Sequence, residues 1–158
     1  MLLYSVAYMH TLGRFHLRWL QPYQPYAALI IRVVFGLHLV MVSKDTVFSS
    51  TGLAAFAAEL ASKGVPLPYL SAVLSASAEF FGGMFILMGF FTRLTGFIIV
   101  GNFVVAILTS HLGDPYSKYY PALHMLTIGV FAVLTGPSIF SVDKWLTARY
   151  PALASVIE

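Results

Sequence analysis

Residues 69–90 read YLSAVLSASAEFFGGMFILMGF, an apolar stretch in which Glu79 is the only charged side chain. About 20 such residues cross the roughly 30 Å hydrocarbon core of a bilayer as a helix. Ala76, Gly82 and Gly83 share a helical face with Glu79, and small residues are typical of close contact between membrane helices. The stretch therefore predicts a spanning helix that directs its carboxyl group into a helix bundle.

The composition of the whole chain agrees with a membrane protein. Hydrophobic residues make up 59% and charged residues 9% of its 158 residues, whereas soluble domains average roughly 45–50% and about 25%. The absence of cysteine excludes thiolate nucleophiles, disulfide exchange and cysteine-ligated metal clusters. The net charge of +3 is scattered among apolar runs and forms no basic patch, so we expect no nucleic-acid partner.

Three further apolar stretches cover residues 26–48, 94–111 and 120–140. None shows the alternation of polar and apolar residues that a membrane barrel requires. We therefore predict an all-α fold, an integral membrane four-helix antiparallel bundle. Residues 51–63 are only moderately apolar and predict a short helix outside the membrane core.

The predicted organisation has three parts. Residues 1–24 mix aromatic and basic side chains and predict an amphipathic interfacial segment. Residues 25–141 form the transmembrane domain, and residues 142–158 predict a short interfacial helix. We expect the lipid bilayer and other membrane subunits to be its partners.

Lysine and arginine are distributed unequally between the two sides of the predicted bundle. One side holds Arg14, Arg18, Arg93, Lys144 and Arg149, and the other holds Lys63 and Lys118, with Lys44 at the border. Basic residues concentrate on the cytoplasmic side of membrane proteins. We therefore predict a multi-pass protein of the inner membrane with both termini in the cytoplasm.

Four polar side chains are predicted to share one layer within the membrane: Arg32, His38, Glu79 and Asn102. Ionisable groups in spans cost about 2.5–3.5 kcal/mol on insertion scales, so each calls for a partner or a function. We expect Arg32 to reach Glu79 and form an intramembrane pair, either as a helix-locking contact or as a proton relay. Glu79 and His38 are the candidate catalytic residues.

A second polar group is predicted near the opposite end of the bundle. Lys44 ends the first span, His111 ends the third and His124 lies about one turn into the fourth. These three are the candidate cofactor-binding residues, at the mouth of any pocket. A quinone is compatible with them, whereas haem is disfavoured because no attachment motif is present. We predict no metal site, and no cofactor is evident from the sequence alone.

Residues 78–83 read AEFFGG and residues 87–93 read LMGFFTR. Together they resemble the second-span signature of the DoxX family of small four-helix membrane proteins, with Gly82, Gly83, Gly89, Thr92 and Arg93 at the motif positions. Arg32 and Gly36 resemble the family's opening motif, and Gly64-Val65-Pro66 resembles its turn before the second span. Lys44 is the candidate for a lysine that the family usually carries near the end of the first span.

The resemblance implies an association with quinol oxidases or with thiosulfate:quinone oxidoreductase, and it leaves three hypotheses open. The first is an accessory subunit of a quinone-linked membrane redox complex, stabilised by the Arg32–Glu79 pair. The second is a quinol-binding oxidoreductase subunit with proton exchange through glutamate and histidine. The third is a small-solute transporter that acts as an oligomer, although the chain has no internal repeat of the transporter kind.

Overall fold

The computed structural model describes residues 18–157, and within this range all regular structure is helical. The α-helices are α1 (Gln24–Val47), α2 (Ser50–Ser62), α3 (Pro68–Met88), α4 (Thr92–Ser110), α5 (Tyr116–Thr135), α6 (Val142–Arg149) and α7 (Ala154–Ile157). Short 3-10 segments cover Arg18–Tyr23 and Pro151–Leu153. The all-α prediction is confirmed. Most of the predicted interfacial segment 1–24 lies outside the described residues.

Three of the described helical segments are long and apolar enough to cross a membrane: Trp19–Val47, α3 and α4. Helix α5 has 20 residues and begins with the run YSKYYP, whose polar side chains lower its apolar content. The expected fourth crossing therefore stays a prediction, while the assignment to membrane proteins stands on the other three helices.

Helices α1 and α3 run antiparallel and touch through glycines. A Cβ atom at Gly36 would lie 2.7 Å from the backbone nitrogen of Leu87, and a Cβ atom at Gly83 would lie 2.7 Å from Cβ of Leu39. The two backbones are therefore as close as glycine allows, which is the small-residue packing expected of membrane helices.

Helices α4 and α5 form a second close pair. A Cβ atom at Gly96 would lie 2.9 Å from the carbonyl oxygen of Gly129. Between the two pairs lies the main apolar core, whose buried members are Leu39, Ile86, Ile99, Phe103, Ala122, Met125 and Ala132. The described bundle thus consists of two glycine-packed helix pairs, joined by an apolar core to which all four helices contribute side chains.

Helix α2 covers one end of the bundle, and we call this end the α2 end. Ser49 caps the helix by accepting a hydrogen bond from the backbone N–H of Gly52 at 3.1 Å, and Ala57 and Leu60 are buried against Ala72 of α3. The opposite end, which carries the α3–α4 turn and α6, is the α6 end.

The helix formed by the fourth apolar stretch is shorter at its C-terminal end than hydropathy predicts. Helix α5 stops at Thr135 instead of reaching Phe140, because Gly136 adopts a φ of 63° and Pro137 follows it, and proline disfavours a helical conformation in the residue before it. Residues 136–141 therefore form a loop at the α6 end, where they provide partners for Arg32.

Candidate ligand-binding cavity

A cavity of about 480 Å³ lies between α1, α2, α3 and α4 in the half of the bundle nearer the α2 end. Its walls are largely apolar and include Val42, Phe56, Leu60, Leu74, Phe103 and Val105. Small-molecule sites are typically apolar clefts of roughly 300–1,000 Å³ with a few placed polar groups. The cavity has the size and character of such a site.

Glu79 provides the deepest acidic group of the cavity wall. Its Oε1 accepts hydrogen bonds from the Ser75 hydroxyl at 3.2 Å and from Asn102 Nδ2 at 3.3 Å. Its Oε2 has no hydrogen bond with any described residue. Glu79 lies 11 residues after Pro68 and 9 before Met88, so at 1.5 Å per residue it is roughly 15 Å from either end of α3. A carboxyl oxygen is thus available to a ligand midway along a spanning helix.

The charges on the described wall leave Glu79 without a cationic partner. Lys63 is the one lysine or arginine among the described lining residues, and its Nζ lies 3.0 Å from Glu59 Oε1 at the α2 end. The Glu79 carboxyl can therefore exchange a proton or hydrogen-bond a ligand without first breaking an ion pair.

The cavity exists because small side chains occupy its walls where α3 and α4 separate. Gly82 of α3 packs against Ile99 of α4, since a Cβ atom at Gly82 would lie 3.3 Å from Ile99 Cγ1. Farther toward the α2 end, a Cβ atom at Gly101 would meet no atom within 4 Å. Ser75 and Ala76 on the facing helix are also small, so the space between the helices stays open.

His111 is the predicted cofactor-binding residue that lines the cavity, near its α2 end. Its Nδ1 lies 3.1 Å from Asp114 Oδ2, which holds the imidazole in place. His124 is exposed and its Nδ1 contacts the carbonyl oxygen of Tyr120 at 2.7 Å, and Lys44 is not part of the lining. The structure therefore separates these three residues instead of grouping them.

The predicted four-residue polar layer is only half formed. Glu79 and Asn102 are in contact, but His38 is exposed on α1 and Arg32 bonds elsewhere. His38, a member of the predicted layer, does not join it: α1 turns Gly36 and Leu39 toward the core, and His38 falls on the outer face. No described contact links His38 to Glu79.

The expected Arg32–Glu79 pair is not formed. Arg32 Nη1 donates to the Ser138 hydroxyl at 2.9 Å and Nη2 to the Phe140 carbonyl at 2.7 Å. Side chains on a helix lean toward its N-terminus, so Arg32 on α1 leans toward the α6 end and Glu79 on the antiparallel α3 leans toward the α2 end. Because Gly36 contacts Gly83 and Leu87, the two charged residues are also roughly 15 Å apart along the bundle.

Arg32 belongs to a polar cluster at the α6 end, which we call the clamp: Arg32, Gly89, Thr92, Ser138 and Asp143. Asp143 is 0% exposed, and its carboxylate accepts hydrogen bonds from the backbone N–H groups of Phe91 and Thr92 at 2.7 and 2.8 Å. The carboxylate thus caps the N-terminus of α4, where the helix dipole favours a negative charge.

Gly89 provides the backbone conformation and the space that the clamp requires. It ends α3 in the left-handed conformation with a φ of 66°, and Phe90 N–H bonds to the Phe85 carbonyl at 2.9 Å, as in a Schellman motif. A Cβ atom here would collide with Nη1 of Arg32 and lie 2.6 Å from Ser141 Cβ. The Gly89 carbonyl also accepts the Asp143 N–H at 3.0 Å, so glycine is required for both conformation and space.

The other motif residues also have structural contacts. The Thr92 hydroxyl donates to Asp143 at 2.7 Å, and Arg93 Nη1 donates to the Val133 carbonyl near the end of α5 at 2.5 Å. Gly82 and Gly83 are buried helix contacts. Within the second-span motif, Glu79 is therefore the residue that lines the cavity, and the other motif residues form contacts between helices.

Sequence reasoning missed Asp143, Ser138 and Ser141. The available signal was Ser141 followed by Asp143 at the start of a helix, a pattern typical of N-terminal capping. The structure shows this cap, since Ser141 Oγ accepts from Lys144 N–H at 3.2 Å. What the pattern does not reveal is that Asp143 points back to cap α4.

The fold and the cavity define a small all-helical membrane protein with an internal cavity whose walls are largely apolar. Comparison with family patterns matches DoxX over residues 27–112, which is more than half of the chain. The chain therefore belongs to the DoxX family. Comparisons with curated proteins and with solved structures yield no match.

Proposed function

We propose that this protein is a small subunit of a quinone-linked redox complex and that its cavity holds the head group of a quinol or quinone. The observation that carries the proposal is the Glu79 carboxyl, whose Oε2 has no hydrogen bond with a described residue and which lines an apolar cavity. Oxidation of a quinol releases two protons and two electrons. The Glu79 carboxylate accepts one of these protons beside the ring, His111 accepts the other, and a redox centre of the partner complex takes the two electrons.

The cavity suits such a ligand in volume and polarity. Its volume of about 480 Å³ accommodates an aromatic head group. Its largely apolar walls suit the carbon substituents of a quinone ring. Asn102 and Ser75 both bond to Oε1 of Glu79, which keeps the carboxyl oriented. His111 near the α2 end offers a second group for hydrogen bonding or proton transfer.

The topology that supports this function has four crossings. Helix α5 is the fourth span, because it is 20 residues long, about 30 Å, and its backbone contacts the spanning helix α4 at Gly96 and Gly129. The α6 end, with Arg93, Lys144 and Arg149, faces the cytoplasm of a cell with an inner membrane. The wide part of the cavity then lies in the outer half of the bilayer.

His38 supports the association with a partner subunit. It lies 14 residues after Gln24 and 9 before Val47, near the middle of α1, and its side chain is exposed. An imidazole in contact with hydrocarbon is unfavourable, so a neighbouring subunit that offers a hydrogen-bonding side chain at this depth would bind the face around His38.

Ligand retention tests the cavity. The full chain in nanodiscs of phosphatidylethanolamine and phosphatidylglycerol is incubated with reduced ubiquinone-2, washed and extracted for quinone analysis. We expect wild type to retain the quinol and Glu79→Gln to bind at least tenfold more weakly. Asp45→Asn is the matched control, because Asp45 is an exposed carboxylate outside the cavity. Wild-type retention no greater than that of empty nanodiscs would contradict the proposed ligand.

Native gel electrophoresis of gently solubilised membranes tests the partner. The tagged wild-type chain should migrate in a high-mass complex, and His38→Leu should shift it to the free form. His124→Leu is the control, because His124 is also an exposed histidine but lies on α5. Migration of the wild type as the free chain would exclude a stable complex.

A further inference from the structure

We propose that the ligand reaches the cavity sideways, from within the bilayer, through an opening between α3 and α4 bordered by Leu74, Gly101 and Val105. We call this opening the portal. The ligand class is then a membrane-dissolved amphiphile whose head group lies beside Glu79 while its tail remains among the lipid chains. The identity of the ligand rests on the proposed function, whereas the portal rests on the helix geometry.

The two helices that border the portal are close at one end and apart at the other. Near the α6 end, Gly82 packs on Ile99. At mid-depth the contact is a side-chain hydrogen bond, from Asn102 to Glu79 at 3.3 Å. Gly101, one residue before Asn102, has open space at its Cβ position. The gap therefore begins at the level of Glu79 and extends toward the α2 end.

The residues that border the portal are part of both the cavity wall and the outer surface. Leu74 and Val105 line the cavity and are 61% and 57% exposed, and Gly101 is also a lining residue and exposed. Together with the open space beside Gly101, this exposure places the opening between α3 and α4.

The depth of the portal places it in hydrocarbon. Leu74 lies six residues after Pro68, the first residue of α3, and Val105 lies five residues before Ser110, the last residue of α4. These separations correspond to roughly 9 and 8 Å along the helices, and Gly101 is deeper still. Lipid chains, and solutes dissolved among them, meet the opening at this level.

The α2 end is covered by a packed helix. Ala57 and Leu60 of α2 are buried on α3, and the Glu59–Lys63 pair at 3.0 Å lies on the same helix at the cavity wall. A ligand from water would have to pass this helix, whereas a ligand from the bilayer passes apolar side chains and a glycine.

Fluorescence quenching tests the portal without any ligand. The sequence contains no cysteine, so Ala106→Cys on the cavity wall introduces a single site for a bimane label. In proteoliposomes made with lipids brominated in mid-chain, we expect strong quenching that falls at least threefold when Gly101→Phe is added. Ile98→Phe, which places the same phenyl ring on the exposed outer face of α4, should leave the quenching unchanged. Quenching by aqueous iodide but not by brominated lipid would overturn the portal.

The rate of quinone exchange tests whether a ligand uses the portal to enter and leave the cavity. The full chain in nanodiscs is loaded with radiolabelled ubiquinone-2 and chased with unlabelled ubiquinone-2. Gly101→Phe should slow the exchange at least tenfold, while Ile98→Phe exchanges like wild type. Slowing by Lys63→Phe at the α2 end, with none by Gly101→Phe, would overturn the lateral route. Lipid quenching with no quinone retention would instead refute the proposed ligand and leave the portal supported.

Discussion

The Asp143 carboxylate accepts both the hydroxyl group and the backbone N–H of Thr92, at 2.7 and 2.8 Å. Fifty-one residues separate the two in sequence, so this contact joins α6 to the start of α4. A buried carboxylate with three donors is stabilising only while all of its partners remain.

We predict that Asp143→Asn destabilises the protein, because the amide presents one acceptor oxygen where the carboxylate presents two. Loss of a partner from a buried polar group costs about 1–3 kcal/mol. Thermal unfolding in detergent should show a lower Tm for Asp143→Asn, whereas the exposed Asp45→Asn should unfold like wild type. Equal Tm values for the two variants would show that the clamp contributes nothing to stability.

Arg32 and Glu79 should behave as independent residues. Their side chains bond to separate partners, and sites more than 7–10 Å apart usually combine within about 0.3–0.5 kcal/mol. The change in unfolding free energy of the Arg32→Gln, Glu79→Gln double variant should therefore equal the sum of the single changes. Strong coupling in the double-mutant cycle would restore the direct pair that the sequence suggests.

Replacing a helical glycine by alanine should lower the stability of the protein where the glycine is closely packed and raise it where the Cβ position is open. Gly36→Ala places a Cβ atom 2.7 Å from a backbone nitrogen of α3, and overpacking of this kind costs about 1–3 kcal/mol. Gly101→Ala meets no atom within 4 Å and gains helix propensity of up to about 1 kcal/mol. The two variants should shift Tm in opposite directions, and a common direction would contradict the packing described for α1 and α3.

The Glu59–Lys63 pair should contribute little to stability. Its side chains are 58% and 28% exposed, and pairs four residues apart on helix surfaces contribute about 0.3–0.5 kcal/mol. Lys63→Gln should leave the Tm nearly unchanged in low salt and in high salt. A large loss that salt abolishes would indicate that the pair holds α2 in place.

Hydropathy predicted the helical class and the positions of α1, α3 and α4, because the length and apolarity of a span follow directly from the thickness of the bilayer. It overextended α5, since residues 136–140 are apolar enough to continue a span but contain Gly136 and Pro137. Apolar content alone does not reveal where a backbone stops being helical.

The candidate site was predictable only in part. The small residues around Glu79 indicate an inward-facing carboxyl, and residue counting predicts Asn102 at the same depth. The sequence also indicates that Arg32 needs a partner, but the direction in which helical side chains lean determines which partner it meets. The orientation of His38 was not predictable from periodicity, because α1 is apolar on nearly every face.

The α6 end is joined by hydrogen bonds, whereas the half of the bundle nearer the α2 end contains the cavity, and this difference has a mechanical consequence. We expect thermal motion that separates α3 from α4 to pivot at the contact of Gly82 with Ile99, so that the two helices move apart more at the proposed portal than at the clamp. Ligands of different width would then pass between them without any part of the bundle unfolding.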